Sequence, residues 1–222
     1  MELAAARGEA GPADRIARRK VTRLHRAAEI GLAALLLILA SPIMLLAVAA
    51  VLVFSGWPVF YGHVRVGRDG RPFRCWKLRT MMTDAESRLN RDADLRDRYV
   101  SNGYKLSEDD DPRVTKIGRL IRRAFIDELP QLVNVLNGTM SLVGPRPVIE
   151  EELQEFDPHA RELLALRPGI VGAWTSHGRN RPSYPERAQI EIEYVRNRSL
   201  RTDVSILFRS LPVVLRGQRP GS

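Results

Sequence analysis

The chain has 222 residues, enough for one compact domain plus an anchoring segment, and 44% of them are hydrophobic. Thirty-five Lys and Arg against twenty-six Asp and Glu give a formal charge of +9 and a pI near 10.4, which admits nucleic acid, anionic lipid or phosphorylated partners without choosing among them. A single cysteine, Cys75, excludes an internal disulfide framework and fits a reducing compartment; between Arg74 and Trp76 in an extended run it reads as structural.

Residues 1–22 are rich in Ala and Arg without periodicity and read as a mobile basic arm. From Ile30 to Phe54 there are twenty-five residues without a charge, more than the ~20 that a helix needs to cross a bilayer. A cleavable signal peptide has a shorter apolar core, of ~7–15 residues. Ser41-Pro42 lies near the middle, where proline removes a backbone donor and the serine hydroxyl can replace it. Both flanks are basic: Arg15, Arg18, Arg19, Lys20, Arg23 and Arg26 before, Arg65, Arg68, Arg71, Arg74, Lys77 and Arg79 after. The positive-inside rule places both flanks in the cytoplasm. A re-entrant helix over 23–56, broken at Ser41-Pro42, satisfies this better than a simple span, and basic juxtamembrane clusters of this kind meet anionic headgroups.

Beyond Gly56-Trp57-Pro58, two β-runs flank Asp69-Gly70, a hairpin signal. The charged stretch 83–111 reads as a solvated helix closed by Glu108-Asp109-Asp110-Asp111, a solvated loop or, less readily, a metal site. A basic helix follows through Lys116, Arg119, Arg122 and Arg123. In the next segment Leu129, Leu132, Val133 and Leu136 make one apolar helix face, with Asp127 as its N-cap, Pro130 in its first turn and Asn137-Gly138 at its end. A short strand over Met140–Val143 leads to Gly144-Pro145-Arg146-Pro147, a stiff turn presenting Arg146. The last third carries Arg167–Trp174, a helix through Tyr194 and an amphipathic tail. No internal repeat, Gly-rich phosphate loop or zinc-spaced Cys/His set is found.

Asp127 and Glu128 are adjacent carboxylates at a helix start. On their own they read as a cap and a first-turn acid. Set among Arg113, Arg122, Arg123 and Arg146 in a membrane-bound chain, they suit phosphoryl chemistry. An ionised Asp can attack phosphorus, and Glu128 can hold a hard cation against a diphosphate. Arg146, stiffened by two prolines, offers a forked phosphate donor, or else caps carbonyls. Lys77 and Arg79 alternate along a strand and share a face, for phosphate or for headgroups.

KLRTM (77–81), DPRVTKIGRLIRR (111–123), DELPQLVNVLNGTMSLVGPRP (127–147) and RPGIVGAW (167–174) together resemble the bacterial sugar transferase family, the monotopic phosphoglycosyl transferases that start exopolysaccharide, capsule and O-antigen synthesis. The resemblance covers roughly residues 24–217. It implies an α/β, mostly helical catalytic domain (57–217) with amphipathic surface helices, a re-entrant helix and a short tail (218–222). It also implies a site at the cytoplasmic face of the bacterial inner membrane, with both termini cytoplasmic. The implied reaction is Mg2+-dependent and ping-pong. Asp127 attacks the sugar-linked phosphorus of a UDP-sugar, UMP leaves, and undecaprenyl phosphate takes the phosphosugar. Glu128 would hold Mg2+ and Arg146 would bind phosphate; Lys77, Arg79, Arg113, Pro145 and Arg179 are the further candidates for binding substrate or phosphate. Departures from the family pattern are His25-Arg26 for Lys-Arg, Glu29 and Glu191 for Asp, His63 for Gln, and Thr175-Ser-His177 for Gln-Val-Ser. The rival readings are an inactive membrane scaffold for glycan-assembly enzymes and a tethered nucleic-acid binder; the latter lacks any recognisable nucleic-acid module. The oligomeric state stays open, with a homodimer among the options, as does the identity of the sugar.

Overall fold

The computed structural model describes residues 23–104, 106, 110–174 and 183–215; the basic arm, Glu108, Asp109, the 175–182 stretch with Arg179, and the end of the tail lie outside them. The first element, α1 (Arg23–Ser55), is one helix of 33 residues with Pro42 inside it. The proline cannot serve the carbonyl four residues back, that of Ile38. The Ser41 hydroxyl donates to that same carbonyl at 2.7 Å, so the orphaned acceptor is satisfied and the helical assignment passes through Pro42 without interruption. Only Glu29, Ala33, Ala47 and Val51 of α1 are buried; Ile38, Leu39, Leu45, Leu46, Val53 and Phe54 are exposed.

Strands β1 (Phe60–Val66) and β2 (Pro72–Leu78) pair antiparallel, Phe60 opposite Leu78 and Val66 opposite Pro72. The expected turn is present: Asp69 and Gly70 both adopt left-handed φ, 63° and 71°, which aspartate and glycine tolerate best. Cross-strand pairing sets Tyr61 beside Lys77 and His63 beside Cys75, so these four share one face. The 83–111 region forms two helices rather than one, α2 (Ala85–Arg91) and α3 (Ala93–Ser101). Asp92 breaks them with an extended backbone, and its side chain accepts from the Leu95 N–H as an N-cap. The basic helix α4 (Lys116–Arg123) is capped by Thr115, which accepts from Gly118 N–H.

The apolar helix begins later than expected. Residues Ile126–Glu128 form a single 3-10 turn, and α5 runs Gln131–Leu136. The cause is Pro130. An α-type bond to the Ile126 carbonyl needs its N–H, which proline lacks, so Leu129 N–H takes that acceptor at 3.2 Å instead. Asp127 therefore caps no helix. Asn134 of α5 ties the helix to β2, accepting from Trp76 N–H at 3.0 Å and donating to Arg74 O at 2.8 Å, as a neighbouring strand would. Strands β3 (Ser141–Val143) and β4 (Gly169–Val171) pair parallel around α6 (Ala160–Leu164). Helices α7 (Glu186–Asn197) and α8 (Leu200–Leu215) complete the described chain. Among the described residues the domain is mostly helical, with two two-stranded sheets.

The main apolar cluster joins Ala33 and Leu37 of α1 to Cys75, Leu129, Leu132, Val135, Met140, Tyr194 and Ile206. A second joins Ala47, Val48 and Val51 of α1 to Val59, Leu78, Ile121 and Ile126. The apolar helix is thus docked twice. Polar contacts lock each end: Arg26 donates to the carbonyls of Val135 and Met140, Glu29 accepts from the Ser141 hydroxyl at 2.6 Å, and Arg79 donates to Ser55 O and Gly56 O at 2.6 and 2.5 Å. Gly144 and Gly169 bring β3 and β4 into close approach, and a Cβ on Gly169 would lie 2.1 Å from Gly144 N. Gly169→Ala is therefore expected to destabilise the domain by about 1–3 kcal/mol or more through overpacking. Gly31→Ala, whose methyl meets nothing within 4 Å, leaves the Tm unchanged or raised; thermal unfolding in one detergent compares the two.

Candidate active site

A cleft of about 1400 Å³ opens beside the hairpin and takes in the 3-10 turn at Ile126–Glu128. Phe125 precedes the turn in left-handed conformation, φ 58°, reversing the chain so that α4 and the turn face the same space. Ile126 packs into the second apolar cluster and Leu129 into the first. The two residues between them, Asp127 and Glu128, sit where the domain steps from one half of α1 to the other. Asp127 is 2% exposed. Glu128 is half-buried and pairs with Lys77 Nζ at 3.1 Å. Because that pair is partly solvated, it is worth little to stability.

The Gly144–Pro147 turn also borders the cleft, through Arg146 and Pro147. Gly169 N–H donates to Pro145 O at 2.8 Å, fixing the turn to β4. The Arg146 guanidinium lies 5.4 Å from the ring of Trp174, and Arg187 packs on the same ring system at 4.6 Å and on Tyr184 at 4.7 Å. Glu191, 1% exposed, accepts from Arg146 N–H at 3.4 Å. Burial, opposed by Arg187, lifts the Glu191 carboxyl to about 7. His63 also lines the cleft. Burial, reinforced by Arg65, Lys77 and Arg146, pulls its imidazole down to about 4, so the ring is neutral at pH 7.

The other cations expected at the site have structural partners. Arg113 makes a two-pronged bond to Asp111, both contacts 2.8 Å, and lies over Tyr99. Arg79 holds the end of α1. Arg122 donates to the Thr80 hydroxyl at 2.8 Å. All three still line the cleft. Arg179 lies outside the described residues. Among the described residues no group of three or more His, Cys, Asp or Glu could hold a metal. Asp127 and Glu128 offer only two adjacent carboxylates, which suits Mg2+, a cation that keeps several waters and takes substrate phosphates as ligands.

The bacterial sugar transferase family matches residues 20–217. The chain belongs to that family. It is 42% identical over 196 residues to the exopolysaccharide production protein ExoY of Sinorhizobium fredii, covering 85% of this chain and 84% of that protein. Similarity to the undecaprenyl-phosphate galactose phosphotransferase of Salmonella typhimurium is 40% over 205 residues, 90% of this chain and 42% of that one. The UDP-glucose:undecaprenyl-phosphate glucose-1-phosphate transferase of Escherichia coli is 34% identical over 197 residues, 83% and 39%. The protein is a transferase enzyme.

Sequence reading of this sugar transferase brings Asp127, Glu128, Lys77 and Arg146 to the cleft, but it does not assign a role to Arg187, Tyr184 or Glu191. A signal for two of them is present in the chain: Arg187, Ala188, Glu191, Ile192, Tyr194 and Val195 form one buried face of α7, so charged residues fall inside an apolar stripe. The Glu191 shift has a direct consequence. Its folded value, about 7, lies above its ordinary 4.5. Between these values the unfolded chain binds fewer protons, so the stability due to the protonated group is fully present below pH 4.5 and is lost as pH rises through 7. Relative to Glu191→Gln, the transferase loses up to about 3 kcal/mol across this window. The difference in Tm between the two proteins, followed from pH 4.5 to 8.5, should widen to about pH 7 and then flatten.

Proposed function

We propose that this transferase moves a sugar 1-phosphate from a UDP-sugar to undecaprenyl phosphate at the cytoplasmic face of the bacterial inner membrane, through a phosphosugar held on Asp127. The observation that carries the reading is the position of the Asp127-Glu128 step: in a cation-lined cleft, and directly against the apolar helix that a lipid substrate must approach. The names of the relatives supply the donor and acceptor classes.

In this mechanism an Asp127 carboxylate oxygen attacks the phosphorus that bears the sugar. The bond from that phosphorus to the bridging oxygen of UMP breaks, and UMP leaves with the electron pair. An oxygen of the lipid phosphate then attacks the same phosphorus and Asp127 departs as a carboxylate, giving a polyprenyl diphosphate sugar. Burial of Asp127 keeps water from the acyl phosphate. Lys77 and Arg146 draw the diphosphate into line from two sides. Glu128, released from Lys77, would hold Mg2+, which when bound neutralises charge on the diphosphate oxygens. Neutral His63 contributes hydrogen bonding without a further charge.

The two docking points on α1 support a helix that enters and leaves by one face of the membrane. Ala33 and Ala47, each packed on the same domain, are separated by a rise of roughly 21 Å if the helix is straight, less than the ~30 Å of a bilayer's hydrocarbon. A spanning helix presents its ends to opposite compartments, whereas here Arg26 and Ser55 both bind one domain. Pro42 gives the place for a bend. The exposed Leu200, Val204, Phe208 and Leu211 of α8 form a second apolar stripe suited to the interface.

Two measurements test the reading. Purified protein given UDP-sugars and Mg2+ without lipid should release one UMP per site and gain the mass of a phosphosugar; Asp127→Asn should do neither, and full turnover by that variant would refute covalent catalysis. For topology, Ala10→Cys and Val100→Cys should both resist a membrane-impermeant maleimide added to intact cells. Labelling of either would show that α1 crosses the bilayer.

A further inference from the structure

The catalytic cleft is not confined to the polar groups that hold phosphate. Its walls also include Leu32, Leu36 and Ala40, which lie at intervals of four residues on one face of α1, and Leu207 and Ser210, one turn apart on α8. Leu129, two residues beyond Asp127, lies on the same cleft. A continuous wall therefore runs from the carboxylates, past the start of α5, to the N-terminal half of the membrane helix. The volume, about 1400 Å³, exceeds the ~300–1,000 Å³ common for a site holding one small molecule.

We infer that the part of the cleft between the N-terminal half of α1 and α8 is the seat of the acceptor's isoprenoid chain, holding its first units while its phosphate reaches Asp127. This rests on the reading of the acceptor as a polyprenyl phosphate. Three features favour that occupant. Leu32, Leu36, Ala40, Leu207 and Ser210 are apolar or small, whereas the loosely tied cations Lys77 and Arg146 line the same cleft. It is bounded by the face of α1 that carries Leu32 and Leu36, at 41% and 40% exposure, while Ile38 and Leu39, off that face, are 69% and 66% exposed. Two of the residues on this side, Ala40 and Ser210, are small. An isoprenoid gains from leaving water for such a groove in proportion to the area covered. Because α1 itself contacts lipid, the chain can enter sideways from the bilayer without crossing water.

The test separates the two half-reactions. Leu36→Trp is expected to raise KM for undecaprenyl phosphate about tenfold or more, which corresponds to at least 1.4 kcal/mol, while the lipid-independent burst of UMP stays at wild-type size. Leu39→Trp, equally apolar but outside the cleft, should change neither. Equal effects from both substitutions, or no effect from Leu36→Trp, would overturn the inference. If Leu36→Trp loses the UMP burst as well, the milder Ala40→Leu decides on the same criterion. A second readout needs no turnover: a polyprenyl phosphate carrying a diazirine in its second isoprene unit, in vesicles of neutral phospholipid, should label the peptides holding residues 32–40 and 207–210. Labelling confined to the exposed residues 43–46 would refute the groove. Absence of a wild-type UMP burst with every donor, by contrast, would sink the proposed reaction and leave the labelling result to speak for the groove alone.

Discussion

Everything in this structure depends on how one apolar helix is held against one domain at two places. Helix α1 contributes Ala33 to the main core and Ala47 and Val51 to the second, and small residues at these points let the domain approach the helix backbone. Between them a run of leucines stays bare. The domain touches both halves through a four-residue step, Ile126 to Leu129, and the two polar residues within that step are Asp127 and Glu128, the pair to which the proposed chemistry is assigned. The position of this pair relative to the apolar helix is therefore a consequence of packing. Asp127 cannot move away from α1 without withdrawing Ile126 from one core or Leu129 from the other.

A second constraint is the handling of charge. Many of the basic residues that make this chain so positive are tied to carbonyls or carboxylates. Arg26 and Arg79 bind backbone acceptors at the two ends of α1. Arg198, with Tyr194 and His25, converges on Asp203, joining α1, α7 and α8, and Arg113 is closed on Asp111. Breaking such buried pairs leaves an uncompensated charge and is far costlier than the pair's net worth. The cations with looser ties, Lys77 on a half-exposed carboxylate and Arg146 stacked on an aromatic ring, are the ones placed to meet an anion. A high net charge thus divides into a structural portion and a smaller chemical one.

The cluster around Trp174 shows the same division within a few ångströms. Arg187 is packed between two aromatic rings and Glu191 lies beneath the Arg146 turn, both almost wholly buried. Cation–π contact replaces some of the solvation that a guanidinium loses on burial. Glu191 supplies a counter-charge whose own burial raises its affinity for a proton. The turn that presents Arg146 is thus supported from below by a group that changes charge near neutral pH.

Much of this protein was legible in the chain alone. An uncharged run of twenty-five residues, the Asp69-Gly70 turn, the apolar face from Leu129 to Leu136 and the carboxylate pair are all local patterns, and local periodicity and turn chemistry act over a few residues wherever the chain goes. The family likeness rests on the same stretches. The sequence did not place the start of α5, because a capping reading of Asp127 competed with the missing N–H of Pro130 and lost. It did not show that Arg79 and Arg113 would close on acceptors of their own, that Asn134 would stand in for a strand, or that Glu191 would lie under Arg146. Apart from the Arg113–Asp111 pair, two positions apart, those outcomes join residues distant in the chain, the Asn134 contacts by more than fifty positions, and all are chosen by which polar groups are buried together. The sequence by itself determined a helix long and apolar enough to cross a membrane and a pair of adjacent carboxylates at the start of the next apolar segment. Only the tertiary structure decided which cations were closed on buried partners and which kept looser ties, since a buried charge must find its partner in space and not in sequence.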